Sequence, residues 1–136
     1  PNLAQVYLSN NNSNAANTWV INTPLLNASG RDMTLGLMGT NIGDNEFSGV
    51  IGNSIYSASN PPPNGFSSGT GVLSLSKQEA GRWILSNTDN SYTGSTVISG
   101  GWLTVTKLAN GNATSSIGAS SNAASNLSMA NGTRLR

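Results

Sequence analysis

Short runs of residues that alternate between apolar and polar side chains are the feature that most constrains the fold of this chain. The runs are densest over residues 71–105, where Gly, Asn, Ser and Thr residues separate them. Side chains two residues apart lie on the same face of a β-strand, so each run predicts a strand with one buried face. The predicted inward pairs are Leu73 and Leu75, Trp83 and Leu85, and Leu103 and Val105.

The spacing of these pairs predicts a repeated, stacked structure. Successive pairs start ten and twenty residues apart, so the coils of a solenoid would align them in columns. We therefore predict an all-β fold, a right-handed parallel β-helix (β-solenoid) fragment of about five or six coils. Its predicted strands are residues 3–8, 18–21, 33–38, 47–51, 55–56, 72–75, 83–85, 96–98, 102–108 and 127–129.

A β-sandwich is the alternative fold. Sandwich strands are joined by tight hairpin turns that favour Asn-Gly pairs, and the chain contains Asn64-Gly65, Asn110-Gly111 and Asn131-Gly132. The predicted strands are shorter than a sandwich would normally need, which favours the β-helix. Helix signals are nearly absent, and residues 120–127 are expected to form one irregular turn at most.

The composition of the chain excludes several classes of function. Only 8% of its 136 residues are charged, the net charge is +1, and the six basic residues are spread thinly. Nucleic-acid and membrane-surface binding both need clustered cations, so neither is expected. The chain has no His and no Cys, which excludes a Ser-His-Asp triad and disulfides. We expect no catalytic residue, no metal site and no cofactor.

The sequence shows neither a signal peptide nor a membrane span. Because the chain begins at Pro1 and stops at Arg136 within the repeated pattern, residues 1–136 are predicted to be a single β-helix segment of a larger protein. Pro61, Pro62 and Pro63 cannot donate backbone hydrogen bonds, so a loop is predicted at about residues 52–70. A second loop-rich connection is predicted over residues 110–126, with Ile117 as its anchor.

The most recognisable motif is Asn90-Ser91-Tyr92-Thr93-Gly94, followed by Gly100-Gly101-Trp102-Leu103-Thr104-Val105. It comes after Leu75-Ser76-Lys77, and Ser115-Ser116-Ile117-Gly118 follows it. Together these pieces, over about residues 71–136, resemble the passenger-associated transport repeat, or autotransporter-associated β-strand repeat, of bacterial autotransporter passenger domains.

This resemblance implies a structural, secretion-assisting segment of a type V autotransporter passenger. Such a segment would promote export and surface display of an adhesin, a virulence function. The chain would be secreted or lie on the extracellular face of the outer membrane. Its partner would be the C-terminal outer-membrane β-barrel translocator of the parent protein, and no enzymatic activity is expected. End-to-end self-association through open coil ends is also expected.

The motif residues are interpreted first as structural. We expect Tyr92 to pack over the coil at a corner, and Gly94 to adopt a positive φ there. A corner that forms quickly could also help the passenger to fold and move outward. The predicted motif and structural residues are Asn90, Tyr92, Thr93, Gly94, Thr96, Ile98, Gly101 and Leu103.

Two further functions stay open. Trp102 is out of phase with its inward neighbours, so with Phe66 of the Pro-rich loop it could form a ligand surface for a host glycan or matrix protein. Trp19 is a further candidate for sugar stacking. The less favoured alternative is a polysaccharide-active enzyme that uses Asp44 and Glu46 as paired carboxylates.

Overall fold

The computed structural model describes residues 4–28, 30–54 and 71–136. Within these residues the chain winds through five coils, whose strands are short because each coil turns a corner every few residues. The strands are β1 (Ala4–Ser9), β2 (Val20–Ile21), β3 (Leu25–Leu26), β4 (Met33–Met38), β5 (Asn45–Phe47), β6 (Ile51–Gly52), β7 (Leu73–Lys77), β8 (Arg82–Leu85), β9 (Thr96–Ile98), β10 (Trp102–Val105), β11 (Leu127–Met129) and β12 (Arg134–Leu135).

The strands stack into three parallel sheets that run along the axis of the coil. Sheet A has the order β1-β4-β7-β9-β11, sheet B has the order β2-β5-β8-β10-β12, and sheet C pairs β3 with β6. We number the coils by their residues: coil 1 (4–28), coil 2 (30–54), coil 3 (71–94), coil 4 (95–126) and coil 5 (127–136).

All paired strands of the described residues run parallel, so the prediction of a parallel β-helix is confirmed and the β-sandwich is wrong. A sandwich needs antiparallel hairpins. The only antiparallel contact within the described ranges is an isolated bridge between Asn90 and Ser115. The right-handed sense predicted for the coil is the one that nearly all parallel crossover connections take.

The core is a set of inward columns along the axis. The predicted inward residues Leu73, Leu75, Trp83, Leu85 and Leu103 are all at most 1% exposed, and Val105 packs partly buried against them. Neighbouring coils supply the rest of each column: Leu35 pairs in register with Leu75, and Phe47 with Leu85. Apolar burial between successive coils therefore holds the stack together.

The coils differ in the number of residues between one strand and its partner in the next coil. From Met33 the chain needs forty residues to reach its partner Leu73, but only twenty-one from Leu75 to its partner Thr96. The extra residues of coil 2 lie between β6 and β7. Most of the predicted Pro-rich loop, with Phe66 and the predicted strand 55–56, falls outside the described residues.

Several predicted boundaries change. The run predicted as one strand over residues 47–51 is two strands, β5 and β6, with a corner between them. The strands β3 and β12 were not predicted, and the strand that begins at Trp102 ends at Val105 rather than residue 108. The predicted irregular turn near residue 120 is a single 3-10 turn, Ala124–Asn126. No helix of the described residues is long and apolar enough to cross a membrane.

Candidate functional site

Five of the eight predicted motif residues meet at one corner of coil 3 and at the start of coil 4. This corner, residues 86–95, joins β8 to β9 and occupies the side of the coil where sheet C has ended. Because no strand ladder continues there, the backbone groups of the corner need other hydrogen-bond partners. Side chains of the motif supply many of them.

Asn90 links three successive coils through its buried amide. Its Oδ1 accepts a hydrogen bond of 2.8 Å from the backbone N–H of Ile51 in coil 2. Its Nδ2 donates one of 2.9 Å to the carbonyl of Ser116 in coil 4. The side chain is fully buried. A single amide that both accepts and donates thus links the three coils on the side where sheet C has ended.

Tyr92 lies in the core rather than over its surface. Its hydroxyl shares a hydrogen bond of 2.7 Å with Thr96 Oγ1, and its carbonyl accepts one of 2.8 Å from the N–H of Ala119 in coil 4. The side chain is fully buried, and this burial raises the pKa of the phenol well above its usual value, although the bond to Thr96 opposes the shift. Gly118 approaches so closely that an added Cβ would lie 2.8 Å from the ring.

Thr93 is held by the previous coil through Asn53. The N–H of Thr93 donates to Asn53 Oδ1 at 3.1 Å, and Asn53 Nδ2 donates to Thr93 Oγ1 at 2.7 Å. The same Oδ1 accepts from the N–H of Leu73 at 2.9 Å. Asn53 therefore ties the end of coil 2 to both ends of coil 3, a role that no sequence pattern predicts.

Gly94 has a different role from the one predicted. Positive φ values occur at Gly101 (63°) and Gly118 (82°), among others, but not at Gly94. Instead Gly94 donates a hydrogen bond of 2.9 Å to the carbonyl of Leu73, and an added Cβ would lie 2.4 Å from that oxygen and 2.2 Å from Ser74 Oγ. The position needs glycine because the backbones approach closely, and the expected positive φ is wrong.

We expect Gly94→Ala to destabilise the chain by about 1–3 kcal/mol, because the added methyl overlaps the backbone of Leu73. Ser91→Ala is the matched control, since Ser91 is exposed three residues away in the same corner. Urea unfolding of the purified variants measures both effects. Equal midpoints for Gly94→Ala and Ser91→Ala would contradict this account of the glycine.

The other predicted motif residues lie outside the corner. Ile98 and Leu103 are fully buried in the core columns of β9 and β10. Gly101 forms the tight turn between these strands, where an added Cβ would lie 2.3 Å from the carbonyl of Gly81 in coil 3. These three residues fit coil 4 onto coil 3 along the sheets.

Ser116 closes the corner from the side of coil 4. Its Oγ accepts hydrogen bonds from the N–H groups of Thr106 at 3.2 Å and Lys107 at 3.1 Å, and the side chain is fully buried. It belongs to the Ser-and-Gly segment that was expected to follow the repeat. The predicted anchor Ile117 packs against the core, as expected.

Trp102 lies on the outer face of sheet B, as predicted, but its ring is not free. The guanidinium carbon of Arg134, in the next coil, lies 4.9 Å from the ring centroid, and that of Arg136 lies 5.9 Å away. Trp19 is partly exposed and contacts the buried Trp83 edge to face, with 6.4 Å between centroids. The contacts of Trp102 join coil 4 to coil 5, and the contact of Trp19 joins coil 1 to coil 3, so all of them link different coils, as do those of the corner.

The two carboxylates considered for catalysis each have a partner within the stack. Asp44 Oδ1 lies 2.7 Å from Nη1 of Arg82, and Glu46 accepts a hydrogen bond from the hydroxyl of Ser86. Both partners belong to coil 3 and lie on the outer face of sheet B. The two carboxylates therefore link coil 2 to coil 3.

Comparison with known proteins identifies the same part of the chain as the structure does. The family model described as the passenger-associated-transport-repeat matches residues 75–105. These residues span from β7 to the end of β10 and contain the whole corner.

The chain is also similar to the Adhesin BmaC autotransporter of Brucella suis biovar 1 (strain 1330), with 44% identity over 124 residues. The match covers 91% of this chain and 3% of that protein, so the chain spans a small part of its relative. No solved structure matches the chain significantly. The chain therefore carries an autotransporter passenger repeat in a β-helical segment, and its place is outside the cell, secreted or at the bacterial surface.

Proposed function

We propose that this segment assists the export and surface display of its parent passenger by folding one coil upon another. The observation that supports the proposal best is the pair of hydrogen bonds from Asn90, which reach Ile51 of coil 2 and Ser116 of coil 4. The polar groups of the motif point to neighbouring coils, so each completed coil presents partners for the next.

Such a stack suits a chain that emerges gradually from a translocator. Two neighbouring coils can stack after a short stretch of chain has emerged, since the partners Leu75 and Thr96 of coils 3 and 4 are only twenty-one residues apart. Closing loops of this length has a modest entropic cost, and contacts between neighbouring coils allow folding to spread along the axis. Folded coils outside the cell would then oppose backward movement of the chain through the parent's β-barrel translocator.

We further propose that the parent is an adhesin and that this segment is a non-enzymatic stalk within it. The similarity to an autotransporter named as an adhesin supports the first point. The stalk role is supported by Trp102, Asp44 and Glu46, whose contacts all join one coil to another. Binding of a host glycan or matrix protein through Trp102 and Phe66 stays a prediction, as does end-to-end self-association.

The test is the amount of full-length parent displayed at the bacterial surface when Asn90 is replaced by alanine. The variant leaves Ile51 N–H and Ser116 C=O unpaired in the core, so we expect display to fall severalfold at equal synthesis. The matched control is Asp89→Ala, whose exposed side chain adjoins Asn90. Display should be unchanged in this control.

A second comparison separates export from simple stability. Residues 71–136 of the parent are deleted or replaced by a different β-helical segment of equal length. If the repeat itself promotes export, deletion lowers display and the replacement does not restore it. Normal display of the deletion variant with reduced attachment to host surfaces would overturn the export role and leave a stalk or binding surface.

A further inference from the structure

Lys77 is a charged residue in a core column that is otherwise apolar. Sheet register places it between Leu37 of coil 2 and Ile98 of coil 4, in the column that Leu8 and Met129 complete. Its side chain is fully buried. An apolar residue would fill this position more simply, because burying an ammonium removes its hydration. The presence of lysine here therefore needs a physical reason.

The ammonium of Lys77 is held by a cage of three backbone carbonyls. Nζ donates to the carbonyls of Gln78 at 2.6 Å and Glu79 at 2.9 Å, which form the turn of its own coil. It donates a third hydrogen bond of 3.0 Å to the carbonyl of Gly100 in coil 4. An ammonium has three donors, so the cage satisfies all of them only when coil 4 is in place.

The turns that form the cage pack closely against each other. Glu79 adopts a φ of 58°, a backbone conformation that residues other than glycine rarely take. Its carboxylate accepts a hydrogen bond of 2.6 Å from the N–H of Gly39 in coil 2. Gly100 lies directly on this turn, where an added Cβ would come within 2.6 Å of the Glu79 nitrogen. The Gly100-Gly101 turn of coil 4 therefore packs against the turn that Gln78 and Glu79 form in coil 3.

The apolar columns alone do not fix how coil 4 stacks on coil 3. A slip of one residue would turn the inward residues of β9 outward. A slip of two residues keeps them inward, and it would place Leu75 opposite Ile98, one apolar residue against another. The hydrophobic pattern therefore does not exclude a two-residue slip, and a different interaction must do so.

We infer that Lys77 sets the stacking register between coils 3 and 4, by requiring the carbonyl of Gly100 as its third acceptor. A two-residue slip would carry that carbonyl about 7 Å along the strand, beyond hydrogen-bond reach, and leave a buried ammonium incompletely paired. The role is one of specificity, as for other buried polar residues that fix register. It holds whether or not the segment assists export.

Disulfide trapping in the purified chain tests the inference, because the natural chain has no cysteine. Ser76 and Val97 are register partners on the outer face of sheet A, so the double variant S76C/V97C reports the native register. The double variant S76C/S99C reports the two-residue slip. The Cα atoms of residues 76 and 99 are about 8 Å apart in the native stack, too far for a disulfide.

In the natural Lys77 background we expect the native pair to cross-link at least about tenfold faster than the slipped pair. Lys77→Met keeps an unbranched side chain of similar length without its charge or donors, and this preference should fall to about threefold or less. Lys107→Met, which removes an exposed lysine from coil 4, is the matched control and should keep the full preference.

Cross-linking of only the native pair in Lys77→Met would overturn the inference. Circular dichroism first shows whether that variant folds. If it does not, Lys77→Leu is the second variant, since leucine fills the same column at Leu37. Failure of both apolar variants to fold would also overturn the inference, because Lys77 would then supply stability rather than register.

Discussion

Replacing Tyr92 by alanine should lower the free energy of unfolding by about 3–5 kcal/mol, the range found for large aromatic truncations in cores. The ring is fully buried at the corner of coil 3 where sheet C has ended, and Gly118 packs against it. The cavity lies between coils 3 and 4, where the neighbouring Asn90 and Ser116 are tied to each other. Urea unfolding of the purified chain measures the loss.

Two variants show which part of the Tyr92 side chain is responsible. Tyr92→Phe keeps the ring and removes the hydrogen bond to Thr96 Oγ1, so a loss of about 1 kcal/mol is expected. Tyr7→Ala truncates a largely exposed tyrosine of coil 1 and should have a smaller effect than Tyr92→Ala. Similar losses for Tyr7→Ala and Tyr92→Ala would show that the corner is not part of the stabilising core.

The sheet A strands of coils 2 to 4 were predictable because their alternation is long enough to be recognised. The bounds of β4 and β9 agree with prediction, and the inward residues Leu73 and Leu75 were identified from their spacing alone. The strands β3 and β12 have two residues each, too few to show any period. Their existence depends on the neighbouring coil, which offers a backbone to pair with.

The partners of the motif were not predictable, because a stack brings together residues at irregular separations. Asn53 contacts Thr93 forty positions later, whereas Asn90 contacts Ser116 twenty-six positions later. Without the length of each coil, the sequence does not give these pairs. The role of Gly94 was assigned wrongly for the same reason, since the need for glycine comes from Leu73 in another strand.

Lys77 shows a further limit of reading hydrophobic patterns. The predicted strand stopped at residue 75, because a charged side chain is rarely buried, yet Lys77 is in phase with Leu73 and Leu75 and lies on the inward face. The phase was the better guide, because the strand ends at Lys77 and lets the ammonium reach the carbonyls of the turn. A lysine in phase with buried residues at the end of a strand is therefore a signal worth testing in stacked coils.

The stability of the chain should rise with pH between about 8 and 10.5. Desolvation lowers the pKa of Lys77 to about 8, and the nearby Glu79 carboxylate opposes the shift only in part. The folded chain therefore releases this proton near pH 8, while the unfolded chain holds it until about pH 10.5. Stability rises wherever the unfolded state binds more protons, here by up to about 3 kcal/mol.

Tyr92 should reverse this trend above about pH 10, where an unfolded tyrosine begins to ionise. Burial raises the pKa of Tyr92, so the folded chain keeps its proton while the unfolded chain loses it, and stability then falls as the pH rises. Urea unfolding between pH 7 and 11.5 should thus show a maximum near pH 10. Lys77→Met should remove most of the rise and Tyr92→Phe most of the fall, because each variant lacks one of the two titrating groups. A rise of equal size in Lys77→Met would mean that the ammonium in the carbonyl cage keeps its proton, and that the three carbonyls compensate fully for its lost hydration.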